Sequence, residues 1–179
     1  MIFSIRKQLE FYLVLIDEFS KSLYTKLVNK VSINTVITQK TLVRIMEDIK
    51  KEAALKRIED LLILQEKIFT KYGEDGYNVF VFGSYPTTGY KENESDADIA
   101  VYTSDFELYK KIAEIIEIYF WEKGVKTDIF YVDLTVPAPF FVAPLRAQIQ
   151  FTDYYPKELE DFKNVCEGKL KQIKEKIVA

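Results

Sequence analysis

The chain has 179 residues, 48% of them apolar and 30% charged, which excludes a disordered polymer and leaves enough apolar surface for one buried core. Lys and Arg number 25 against 28 Asp and Glu, and this net charge of −3 does not suggest a dedicated duplex-binding protein, although a local basic patch stays open. There is no histidine and one cysteine, so Ser-His and Cys-His nucleophile pairs, imidazole bases, His-ligated metals and an internal disulfide are excluded. Chemistry is left to carboxylates, lysines, hydroxyls and a hard metal ion.

Residues 1–72 read as helical. A first amphipathic stretch runs from Ser4 to Asn29, Val31 to Thr38 reads as a break, and a second stretch runs from Lys40 to Tyr72. Apolar residues at Leu42, Ile45, Met46, Ile49 and Ala53, then Leu55, Ile58, Leu61, Leu62 and Ile68, follow helical spacing. The length predicts a kink between Lys50 and Leu55. The early apolar run Phe11–Ile16 is six residues between Glu10 and Asp17, too short for a membrane span. Neither a secretory leader nor a membrane helix is expected, and the expected location is the cytoplasm.

Gly73-Glu74-Asp75-Gly76 is a turn signal, after which the period changes. Tyr77–Phe82 is a strand ending at Gly83, and Asp96–Tyr102 is a second. Ser104-x-x-Glu107 has the capping-box pattern and opens a helix carrying Leu108, Ile112, Ile115, Ile116, Tyr119 and Phe120, which stops at Gly124. Val125–Leu134 is a third strand. Pro137, Pro139 and Pro144 forbid a central strand after it, and Leu145–Phe151 reads as a short helical turn. A final helix from Pro156 places Leu159, Phe162, Cys166, Leu170, Ile173 and Ile177 on one side, with Cys166 a core residue. The expected division is a helical segment over 1–54, a catalytic domain over 55–151 and a packed C-terminal helix over 152–179.

Two short motifs carry the chemistry. Gly83-Ser84 directly follows an apolar strand, where a glycine lets backbone N–H groups approach a phosphate and a serine hydroxyl adds a donor. A helix starting there would aim more N–H groups at the same point. Gly89 lies in the same loop. Asp96 and Asp98, two apart at a strand start, face the same way about 6.6–7 Å apart. Two carboxylates aimed at one point repel unless a cation lies between them, and Mg²⁺ takes carboxylate and phosphate oxygens together.

In this order Gly83-Ser84, the spacer and Asp96-x-Asp98 resemble the nucleotidyltransferase superfamily, the polymerase-β-like fold, and in size its minimal prokaryotic members. The resemblance covers about residues 55–151. It implies an α+β fold, a small mixed sheet flanked by helices with N- and C-terminal helical additions. Two departures stand out. The spacer Tyr85–Ser95 is eleven residues instead of the usual ten, and Thr88 stands where the minimal members commonly have arginine.

The family's third carboxylate lies on a later strand, and Asp128 and Asp133 are the candidates. The helix after Ser104 is a crossover connection, so the strand after it should run parallel to the Asp96 strand. Asp128 lies near the start of that strand. Asp133 lies five residues on, about 16–17 Å further along and on the opposite face. Asp128 is favoured. Lys91 could reach a triphosphate but reads better as a solvated loop lysine, and Tyr85 draws interest because it follows Ser84.

The resemblance implies an Mg²⁺-dependent transfer of NMP, with AMP from ATP foremost, to a hydroxyl acceptor, pyrophosphate leaving. Two Mg²⁺ ions would be held by Asp96, Asp98 and Asp128, and the nucleotide by Gly83, Ser84 and Gly89. The acceptor would be a hydroxyl on a partner protein, in the toxin–antitoxin setting of the minimal members. The N-terminal helices are not the nuclease partner of such pairs, whose motif needs a histidine. Two rivals stand beside this reading: a silent nucleotidyltransferase fold acting as a binding partner or antitoxin, and a helical interaction protein whose Asp-x-Asp is accidental.

Overall fold

The computed structural model describes residues 39–147 and 149–178, and the helix expected over residues 4–29 and the break over 31–38 lie outside them. A boundary between compact units falls after Asp48, and the second unit, Ile49–Ala179, contains all four strands of the sheet.

Helix α1 (Gln39–Tyr72) leads through the Gly73–Gly76 turn into β1 (Tyr77–Phe82), and β2 (Ala97–Thr103) comes next. Then come α2 (Phe106–Trp121), β3 (Thr127–Tyr131), two Pro-initiated 3-10 turns (Pro139–Val142 and Pro144–Arg146), β4 (Ile149–Gln150) and α3 (Lys157–Val178). The four strands lie in the order β3-β2-β1-β4. β1 is antiparallel to both its neighbours, while β2 and β3 are parallel, as a helical crossover between them requires. The fold is α+β, a mixed sheet flanked by helices.

Alternation along the strands divides the core in two. Tyr77, Val79 and Val81 of β1 and Ile99 and Val101 of β2 face Leu61, Leu64 and Ile68 of α1 and Ile112, Ile116 and Phe120 of α2. Phe80, Ala100 and Tyr102 face the other way. They are covered by Leu159, Phe162 and Cys166 of α3 and by Phe141, Val142 and Leu145 of the 3-10 turns. Each large apolar side chain buried in this way contributes about 1.5–3 kcal/mol of transfer free energy. Tyr119 Oη donates to Asp60 O (2.7 Å) and Lys123 pairs with Asp60 (3.1 Å), fastening α2 to α1.

Several details differ from the sequence expectation. α1 continues without a break through residues 50–55, a stretch with no Pro or Gly to kink it. Its buried stripe is Ala54, Leu61, Leu64 and Ile68, whereas Met46, Ile49 and Leu62 are exposed. The cap of α2 is Asp105, whose Oδ1 accepts from the N–H groups of Glu107 (2.9 Å) and Leu108 (3.3 Å). Ser104 does not cap it, because β2 runs to Thr103 and Thr103 Oγ1 takes the Asp105 N–H (3.2 Å). Residues 145–151 do not form one helical turn. Their second half pairs with the open edge of β1, with Phe80 opposite Gln150 and Val81 opposite Ile149. The alternation Ile149-Gln150-Phe151 suits that strand. Towards the end of α3, Ile173 and Ile177 are exposed.

Candidate functional site

Register brings the two motifs together. Phe82, the last residue of β1, is opposite Asp98 on β2, and Asp98 is opposite Asp128 on β3. Because β2 and β3 are parallel, their starts lie side by side, about 4.8 Å apart. Ala97 N donates to Lys126 O (2.8 Å) and holds them level. Alternation turns Asp98 and Asp128 to the face that α3 covers further along. At this end burial falls off: Asp98 is half-buried and Asp128 is exposed, with half-buried Asp96 immediately before β2.

These carboxylates act on one another. Burial, then the negative charges of Asp128 and Asp96, push the Asp98 carboxyl above the usual carboxylate range. Among the described residues no three His, Cys, Asp or Glu side chains close into a metal cage. Mg²⁺ is commonly bound through one or two carboxylates together with water and phosphate oxygens, so this acceptor-only set, under mutual repulsion, fits such an ion.

Gly83 is needed here for two reasons. Its φ of +70° is one that residues with a side chain rarely adopt, and a Cβ added to it would overlap the Asp98 carboxylate, with Asp98 Cγ 2.9 Å away. The missing side chain is what lets the loop lie directly against Asp98. No helix follows Ser84. The loop closes instead as a turn in which Thr87 N and Thr87 Oγ1 both donate to Ser84 O, at 2.9 and 2.8 Å. Gly89 N donates to Thr87 Oγ1 (3.1 Å), so that N–H is engaged within the loop.

The remaining candidates have ordinary surroundings. Tyr85 is a core residue, edge-on to Tyr90 and Phe120 with ring centroids 5.1 and 5.2 Å apart. Burial, chiefly, pushes its phenol well above the usual range. Lys91 pairs with Glu94 (3.1 Å) on the surface. Asp133 lies beyond the end of β3, where its Oδ1 accepts from Thr135 Oγ1 (2.7 Å) and Thr135 N (2.9 Å). Those bonds hold its carboxyl below the usual range. Cys166 is fully buried in the core.

Sequence reading missed Arg57. From α1 its Nε donates to Tyr85 O and its Nη2 to Thr87 O, both at 2.6 Å, and its guanidinium lies 4.7 Å from the centroid of the Tyr90 ring. A signal was present. Arg57 continues the buried stripe Leu61, Leu64, Ile68 one turn towards the N-terminus, and a cation in such a stripe needs acceptors.

A family model described as a nucleotidyltransferase domain matches residues 61–161, more than half of the chain. No curated protein and no solved structure gives a significant match. The matched segment holds β1, β2 and β3, Gly83-Ser84, and the three carboxylates Asp96, Asp98 and Asp128. On that match the chain belongs to the nucleotidyltransferase domain family.

Proposed function

We propose that the chain transfers a nucleoside monophosphate, AMP foremost, from its triphosphate to a hydroxyl acceptor, with release of pyrophosphate. The observation that supports this best is Asp98, held between a glycine that leaves no room for a side chain and Asp128 directly opposite on the parallel strand. Asp96, Asp98 and Asp128 would hold Mg²⁺, two ions in this reading, which when bound neutralises phosphate charge and lowers the pKa of the acceptor hydroxyl.

The chain's own residues do the rest. The Gly83-Ser84 backbone and the Ser84 hydroxyl bind the β- and γ-phosphates. With no histidine in the chain, Asp128, exposed on the edge strand, receives the acceptor proton. The acceptor oxygen bonds to the α-phosphorus as the bond to the bridging oxygen breaks, and pyrophosphate leaves. The acceptor in this reading is a hydroxyl on a partner protein, of the toxin–antitoxin kind, in the cytoplasm.

The engagement of the Gly89 N–H by Thr87 favours a second reading, a silent nucleotidyltransferase fold that serves as a binding partner. One experiment separates the two. The protein is incubated with Mg²⁺, a cell lysate and ATP labelled at the α- or the γ-phosphate, then with the other three NTPs. Nucleotidyl transfer moves the α-label to an acceptor and sends the γ-label into pyrophosphate. A bound nucleotide with no α-label transferred from any of the four supports the silent fold.

A further inference from the structure

The loop after Gly83-Ser84 is held from outside itself. Tyr85 O and Thr87 O both turn towards α1, where Arg57 donates one N–H to each at 2.6 Å. The same guanidinium lies over Tyr90, at the far end of the loop. Among the described residues it has no carboxylate partner, so its charge is met by two carbonyl dipoles and aromatic faces. Arg57 lies before the segment matched by the family model, which begins at residue 61.

The two bonds have a geometric consequence. A trans peptide points its C=O and its following N–H in opposite directions. With Thr87 O held by Arg57 (2.6 Å) and, more loosely, by the Tyr90 N–H (3.5 Å), the Thr88 N–H is turned to the opposite side of the loop, exposed, and it takes no partner among the described residues. Tyr85 O is followed by Pro86, which has no N–H to orient. Within the loop Gly89 N is already engaged, so the Thr88 N–H is a donor that the brace leaves for a ligand, beyond those of the Gly83-Ser84 backbone.

We infer that Arg57 is a positioning residue for the nucleotide loop. It fixes the 87–88 peptide from the α1 side, so that the exposed Thr88 N–H on the opposite side is held ready to donate to a triphosphate. This assignment rests on the nucleotidyl-transfer reading for its ligand, but the brace itself does not depend on it. Thr88 then contributes through its backbone N–H, held in place from α1 by Arg57.

Arg57→Lys keeps the charge but cannot make both carbonyl bonds with the guanidinium fork, and Arg57→Ala removes both. Amide hydrogen exchange at Thr87, Gly89 and Tyr90, whose N–H groups are bonded within the loop, is measured on the wild type and both variants, with Val79–Val81 as internal control. Magnesium-ATP and magnesium tripolyphosphate affinities are measured by calorimetry. Loop exchange should rise on the order of tenfold or more in both variants, with control amides and thermal midpoint little changed. Affinity for both probes should fall about 10- to 100-fold in Arg57→Ala and less in Arg57→Lys, with the loss in KM more than in kcat. Unchanged loop exchange in Arg57→Ala overturns the brace whatever the probes do. Raised exchange with unchanged affinity overturns its role in ligand binding. A wild type that binds neither probe overturns the nucleotide reading, while raised exchange in the variants would still establish the brace.

Discussion

The two faces of the sheet solve different problems. On the face towards α1 and α2, Val79, Ile99 and Val101 are fully buried and no charged group appears in the cluster. On the face towards α3, Phe80 and Ala100 are as deeply buried, but two residues along β2 from Ala100 the cover gives out, and Asp98 stands there with Asp128 opposite it on β3. The same alternation that builds a core at one end of β2 and β3 therefore presents a carboxylate pair at the other. The first face is built for stability; the open end of the second carries the mutual repulsion of a carboxylate pair.

The largest effect expected concerns turnover. Asp128→Ala should lower nucleotidyl transfer on the order of 10²–10⁴-fold, the range of a lost general base, while magnesium-ATP binding changes much less. Asp133→Ala, whose side chain holds only its own turn, should leave both unchanged. The reverse result in a steady-state assay would move the site away from the parallel pair.

Next come stability effects that set the faces apart. Leu64→Ala, on the closed face, should cost about 2–5 kcal/mol in urea denaturation. Phe130→Ala, on the open face where the ring is 36% exposed, should cost less than that. Equal costs would mean that the open face is packed as tightly as the closed one.

A glycine pair tests the contact between the motifs. Gly83→Ala should cost about 2–4 kcal/mol, because left-handed strain is joined by displacement of Asp98. Gly76→Ala, with φ of +83° and nothing within 4 Å of the added Cβ, should cost about 1–2 kcal/mol from strain alone. Similar midpoints for the two variants would count against the close approach.

The smallest effect is one of sign. The Asp98 carboxyl titrates higher in the folded chain than in the unfolded chain, so its charged form disfavours folding. That penalty is absent below the unfolded pKa, near 4, and is complete above the raised folded one. Without metal or nucleotide, Asp98→Asn should be slightly more stable than wild type at pH 7, and the gain should vanish below about pH 3.5. Chemical denaturation at both pH values checks this, and a less stable variant at pH 7 would make Asp98 a structural residue.

Much of this was legible in the residues. β1 and β2 stand out as short apolar runs between turn signals, and the helical crossover makes the third strand parallel, which places Asp128 level with Asp98. Other features depend on partners that no local pattern reveals. β4 is two residues long and exists because β1 has an open edge. Asp105 replaces Ser104 as a cap because β2 extends to Thr103. The stripe of α1 marks Arg57 as a cation in need of acceptors, but those acceptors are carbonyls 28 and 30 residues away, which no local pattern identifies.

The most direct test compares wild type with Asp98→Asn, both shown folded by circular dichroism, in one reaction with α-labelled ATP, Mg²⁺ and lysate. Labelled acceptor with wild type and none with Asp98→Asn is the expected result. Equal labelling by both proteins, or none by wild type with any of the four NTPs, would contradict the assignment of the carboxylate pair as the site of nucleotidyl transfer.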